Sequence, residues 1–127
     1  MKQTFPWMIL GLAGLSGCLR EKRRRLNVWN WSAYTAADTL PGFERESGIQ
    51  VRYAIYESNE EMLARVLGGN SGWDVVFPSN YYIAPMRDND LLAPIQHSRL
   101  TRLHQLDPAF RRPTWDSDLS WCVPYMW

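Results

Sequence analysis

Three short stretches of this 127-residue chain combine aromatic rings with small hydroxyl and amide side chains: Asn30-Trp31-Ser32-Ala33-Tyr34, Tyr56-Glu57-Ser58-Asn59 and Pro78-Ser79-Asn80-Tyr81-Tyr82. A ring face attracts an ammonium group by about 0.5 to 2 kcal/mol, depending on how far the pair is desolvated. Hydroxyl oxygens accept hydrogen bonds from the same group. Such residues suit reversible capture of a small polar cation between rings. They serve equally well as packing over the edge of a sheet. The chain holds seven Trp, six Tyr and four Phe, more rings than a core of this size consumes, so part of them is expected to face a ligand or partner. Covalent chemistry finds no foothold. There is no Gly-x-Ser-x-Gly, no Cys and His pairing with an orienting acid, and no Gly-rich phosphate loop opening a helix. Gly68 to Gly72 follows a helical segment and reads as a connector. His97 and His104 have no partner at ligand spacing, so neither a metal nor a cofactor is expected.

Each of the three stretches follows a strand-like segment. Leu26-Asn27-Val28-Trp29-Asn30-Trp31 has the aromatic and β-branched content of a buried strand. Asp38-Thr39 marks the start of a helix running to about Ser47, with Pro41 in its first turn and Gly48 as a left-handed stop. Ile49 to Tyr56 is a second strand. Ser58-Asn59-Glu60-Glu61 has the form of a capping box, in which the Ser58 side chain meets the Glu61 amide and the Glu61 carboxylate reaches back. Met62, Leu63, Val66 and Leu67 give the following helix an apolar stripe, ended by Gly68-Gly69. Asp74 to Phe77 is a third strand, stopped by Pro78. Strands separated by ten-residue helices imply an α/β fold with a parallel sheet. Ligands of such sheets sit beyond the carboxyl ends of the strands, where the three aromatic stretches fall. Leu91 to Arg112 reads as surface turns with a short helix near Thr101 to Leu106.

Charge divides the chain. Lys2, Arg20, Lys22, Arg23, Arg24 and Arg25 stand against Glu21 in the first 25 residues, so the formal +1 of the whole hides a body of −4. An acidic body lacks the clustered Lys and Arg of a nucleic-acid footprint and is compatible with a cationic solute. Phe5 to Gly17 is an apolar run of thirteen residues behind a Lys start, too short to span a bilayer, and it reads as the core of a signal peptide. It closes in Leu15-Ser16-Gly17-Cys18, which resembles the bacterial lipobox. That resemblance implies cleavage before Cys18 and lipid on its thiol. Residues 1–18 are then signal and lipobox, 19–25 a basic tether, and 26–127 the folded part. With Cys18 lipidated no intramolecular disulfide is available, and Cys122 reads as a small buried apolar group.

At the same loops the sequence is similar to the spermidine- and putrescine-binding proteins of bacterial polyamine importers. Asn-Trp-Ser-x-Tyr at Asn30 to Tyr34, Tyr-Glu-Ser-Asn-Glu at Tyr56 to Glu60, Asp-Val-Val-x-Pro-Ser-x-Tyr-Tyr at Asp74 to Tyr82 and Val-Pro-Tyr-x-Trp at Val123 to Trp127 carry the likeness in order. The resemblance implies an incomplete first lobe of a two-lobed clamshell of the type II periplasmic-binding-protein kind. It further implies no catalysis, and delivery of a polyamine to the permease of an ABC importer by a monomeric, extracytoplasmic lipoprotein. By motif position Trp31, Ser32, Tyr34, Ser79 and Tyr81 would line the cleft, with Glu57 and Asn80 as further candidates. Relatives usually carry a carboxylate where this chain has Ala33, and the family's chains are more than twice as long. These departures keep open a different amine or amino-acid-like guest, a small extracytoplasmic enzyme, or an inactive remnant.

Overall fold

The computed structural model describes residues 24–69 and 72–126; the expected signal segment, Cys18 and most of the tether lie outside them. Strand β1 (Arg25–Trp31) starts one residue earlier than the sequence pattern suggests, inside the expected tether. The reason is pairing: Arg25 lies opposite Gln50, and the Arg24 carbonyl accepts from the Gln50 amide at 3.0 Å. Helix α1 (Thr39–Ser47) leads to strand β2 (Gln50–Tyr56) and helix α2 (Asn59–Leu67) to strand β3 (Val75–Val76). Both β2 and β3 run parallel to β1, in the order β2-β1-β3. Among the described residues this is an α/β unit with its central strand covered on both sides by neighbours.

Local chemistry sets the element ends. Gly48 closes α1 at φ 69°, a left-handed value that only glycine adopts without strain, and its amide reaches the Glu44 carbonyl at 3.0 Å. Asp38 does not cap α1 as expected, because its own backbone is already helical (φ −92°, ψ −13°) and its side chain makes no capping bond. At α2 the Ser58 hydroxyl accepts from the Glu61 amide at 3.1 Å. The returning Glu61 carboxylate meets the Glu57 amide, one residue before the position a reciprocal box uses, at 3.4 Å. Strand β3 is shorter than Asp74 to Phe77 because side chains occupy both of its ends. The Asp74 carboxylate takes the Asn27 backbone and side-chain N–H groups at 2.7 and 2.9 Å, and the Phe77 carbonyl takes the Trp31 indole N–H and the Tyr56 hydroxyl. Helix α3 (Ile83–Asp88) is not anticipated from sequence; Pro85 falls in its first turn, where a missing N–H costs nothing. The expected helix near Thr101 to Leu106 is a single 3₁₀ turn, Leu103–Gln105, flanked by others at His97–Arg99 and Pro108–Phe110.

The core is centred on Trp29, Tyr56, Met62 and Met86, with Trp31, Leu63, Val66, Trp73 and Leu92 packed against it. Trp29 stacks on Trp73 at 5.2 Å and 16°, and the outer faces carry guanidinium groups, Arg52 over Trp73 and Arg65 over Trp29. The last segment is tied by Asp116, whose carboxylate accepts the backbone N–H groups of Ser120, Trp121 and Cys122 at 3.1, 2.8 and 3.0 Å. Burial works to raise the pKa of Asp116, but these donors outweigh it and hold the carboxyl below its usual range. A depressed folded value stabilises above the unfolded pKa of about 3.9 and is lost as pH falls through the folded value. Acidification below about pH 4 is therefore expected to loosen Asp116 to Cys122. Asp116→Asn should remove that pH dependence from Trp121 fluorescence, and an acid profile identical to that of the parent chain would contradict this role.

Candidate functional site

Parallel pairing places the loops that follow the three strands on one edge. After β1, a small network folds the chain back: the buried Asn30 amide meets the Trp31 N–H and the Thr35 hydroxyl at 2.8 and 3.2 Å, and Thr35 meets the Tyr53 hydroxyl at 3.0 Å. Ala33 sits at φ 59° in the resulting turn. Trp31 is half-buried, its ring 4.6 Å from Tyr56 and 6.3 Å from Tyr34. Its indole N–H is spent on the Phe77 carbonyl at 2.8 Å, so only ring surface remains for a guest. Tyr34 is 42% exposed, and its carbonyl accepts from the Tyr125 hydroxyl 91 residues away. Tyr125 in turn packs edge-on against Phe77 at 4.9 Å.

After β3, Ser79 is partly buried and Tyr81 is 68% exposed. The Asn59 side chain binds both, donating to the Ser79 and Tyr81 hydroxyls at 3.0 and 3.3 Å and accepting from the Ser79 N–H at 3.0 Å. Asn80 turns its carbonyl oxygen back to the Tyr81 N–H at 2.9 Å. Next to them the Tyr82 hydroxyl donates to Glu60 at 2.6 Å; that bond lowers the Glu60 carboxyl and pushes the phenol up to about 12. Burial raises the Tyr56 phenol further still.

Trp31, Tyr34, Ser79, Asn80, Tyr81 and Tyr125 share the wall of an open depression of about 1650 Å³ that continues along the free side of β3. Ser32 and Glu57 do not line it; both are exposed, and the Glu57 backbone is engaged at the start of α2. Ala33 lines a second, smaller hollow of about 380 Å³ with Thr35, Tyr53 and Ile55, whereas Trp31 and Tyr34 line the larger depression. Of the depression's acids, Asp74 is committed to Asn27, and Asp90 lies beyond the end of α3. Cys122 borders the depression half-buried rather than sealed in the core, and burial together with the nearby Asp116 charge pushes its thiol up to about 11, the unreactive form. No group of three or more metal-binding side chains occurs among the described residues. The arrangement offers ring faces and hydroxyls, the groups that can hold a small polar cation.

Sequence reasoning passes over Asn59, Tyr125 and the Phe77 carbonyl. Asn59 and Tyr125 stand inside the quoted motifs and were open to notice; a backbone carbonyl leaves no sequence signal.

No family model matches the chain. The spermidine/putrescine-binding periplasmic protein of Salmonella typhimurium is 36% identical over 115 residues, covering 90% of this chain and 33% of that protein. The putrescine-binding periplasmic protein PotF of Escherichia coli is 34% identical over 113 residues, 87% of this chain and 30% of its own length. Among solved structures, the spermidine/putrescine ABC transporter substrate-binding protein PotD of Streptococcus pneumoniae superposes with a TM-score of 0.78 at 34% identity, over 82% of this chain and 32% of that one. The chain is similar in sequence and fold to part of the spermidine/putrescine-binding proteins. It spans about a third of the length of the curated relatives it matches. The TpPotD lipoprotein of Treponema pallidum, with a TM-score of 0.75 at 33% identity, covers 80% of this chain and 32% of itself. The lobe-type fold expected from the motifs agrees with these neighbours.

Proposed function

We propose that this chain supplies one wall of a polyamine-binding cleft in the extracytoplasmic, non-catalytic binding component of an ABC importer, and that the guest is passed to a membrane permease. The observation that carries the reading is the convergence of Trp31, Tyr34, Ser79 and Tyr81 on one depression at the carboxyl ends of parallel strands. Ring faces take the methylene stem and the ammonium ends, and the Ser79 and Tyr81 hydroxyls accept hydrogen bonds from them. Asn80 shapes the loop beneath Tyr81, while Ser32 and Glu57, exposed and outside the lining of the depression, would meet a guest only if it extends past these walls. Residues 1–18 act as signal and lipobox, with Cys18 as the lipid-bearing anchor, residues 19–25 link to it, and the rest forms part of a first lobe. The lipoprotein among the structural neighbours supports the anchor.

A single wall leaves ammonium groups in contact with water, so affinity is weak for the chain alone. At a spermidine concentration ten times the dissociation constant, the melting temperature is expected to rise by roughly 6 to 10 °C. Glutamate at the same ionic strength is the control. No rise with spermidine, or an equal rise with glutamate, would sink the reading. Ala33 favours one variant, a guest with fewer or differently placed charges, since no carboxylate stands there; a larger shift with a monoamine than with spermidine would select it.

A further inference from the structure

We propose that Asn59, which borders the same depression, acts as the positioning residue of the ligand edge by setting the Ser79 and Tyr81 hydroxyls; this deepens the binding reading and rests on it. Asn59 is the first residue of α2, a place that is usually solvated, yet it is only 5% exposed. Burying a primary amide is costly unless its polar atoms are met. Here the partners of its side chain among the described residues all come from one loop, the one after β3. The single nitrogen donates to two hydroxyls, Ser79 at 3.0 Å and Tyr81 at 3.3 Å, and the oxygen takes the Ser79 N–H at 3.0 Å.

Two hydroxyls drawn to one donor have a fixed separation. Ser79 is anchored on both its backbone and its side chain, in an extended conformation (φ −64°, ψ 149°) that starts the 3₁₀ turn Asn80–Tyr82. Tyr81 is the more exposed ring, held at its hydroxyl by Asn59 and along its side by Tyr82, with centroids 5.2 Å apart. Release of the hydroxyl leaves that ring free to swing into solvent. Each hydroxyl that accepts from Asn59 keeps its own O–H and a further lone pair, so both stay open to a guest. Asn59 therefore carries the position of α2 into the loop after β3, and two of the three ligand-edge loops move as one body.

The test uses the whole chain and two readouts. In Asn59→Ala the Ser79 amide is expected to exchange with solvent about tenfold faster or more, while the amides of Trp29 and Asn30 in β1 keep their rates. Spermidine affinity is expected to fall about tenfold in Asn59→Ala, but less than about twofold when the same change is made in the Ser79→Ala/Tyr81→Phe background. Equal losses in both backgrounds, or Ser79 and β1 amides accelerating together, would show a general structural role and overturn the proposal. If Asn59→Ala does not fold, Ser79→Ala/Tyr81→Phe decides: the Asn59 side-chain amide protons should exchange about tenfold faster, and unchanged exchange overturns it. Absence of any spermidine response in the parent chain removes the binding reading, whereas the exchange pattern still reports whether Asn59 holds the loop.

Discussion

Replacing Trp29 by alanine is expected to remove about 3 to 5 kcal/mol of unfolding free energy, a large part of the roughly 5 to 15 kcal/mol that a domain of this size possesses. The indole is 2% exposed and lies at the meeting point of the core, stacked on Trp73, edge-on to Tyr56 at 5.2 Å and covered by Arg65. Its N–H also donates to the Ile55 carbonyl at 3.0 Å, so truncation leaves both a cavity and an unmet acceptor. Urea denaturation followed by far-UV circular dichroism measures the loss. A fall below about 1 kcal/mol would mean that the stack is surface decoration and the core lies elsewhere.

Ala33→Asp is expected to raise spermidine affinity by about ten- to a hundredfold, the range that a hydrogen bond to a charged group of about 1.5 to 3 kcal/mol provides. The position lines the small hollow with Thr35, Tyr53 and Ile55 and adjoins Tyr34 in the chain, so the measurement shows whether a carboxylate there reaches a guest held by the Trp31 and Tyr34 rings. Its left-handed backbone suits aspartate better than alanine, so the change should not cost stability. Ala33→Asn is the control, having the same backbone tolerance without the charge. The gain should appear with Asp alone and shrink as salt is raised. Equal gains from both substitutions would locate the benefit in the turn, and no gain from either would remove position 33 from the guest's reach.

The motifs told more about direction than about detail. β-branched and aromatic runs separated by helix-length segments implied parallel strands, and parallel strands put Trp31, Tyr34, Ser79 and Tyr81 at one edge. Gly48 announced its helix end because a left-handed residue has few alternatives. Where side chains compete with the backbone, the pattern misled. Asp74 and the Phe77 carbonyl draw N–H and O–H partners that a longer β3 would have forgone. Asn59 looks like part of a cap in the sequence, because the two residues it serves lie 20 and 22 positions further on, a separation that local periodicity does not encode. Tyr125 and Tyr34 show the same limit at greater range.

That last contact bears on the order in which the chain matures during synthesis. The three strands are complete once Val76 has left the ribosome, with β1 then able to pair on one side with β2 and on the other with β3. The brace from Tyr125 to the Tyr34 carbonyl arrives about fifty residues later, roughly 2 to 10 seconds at ordinary elongation rates. A nascent chain halted between these points would own a formed sheet and an unbraced first loop.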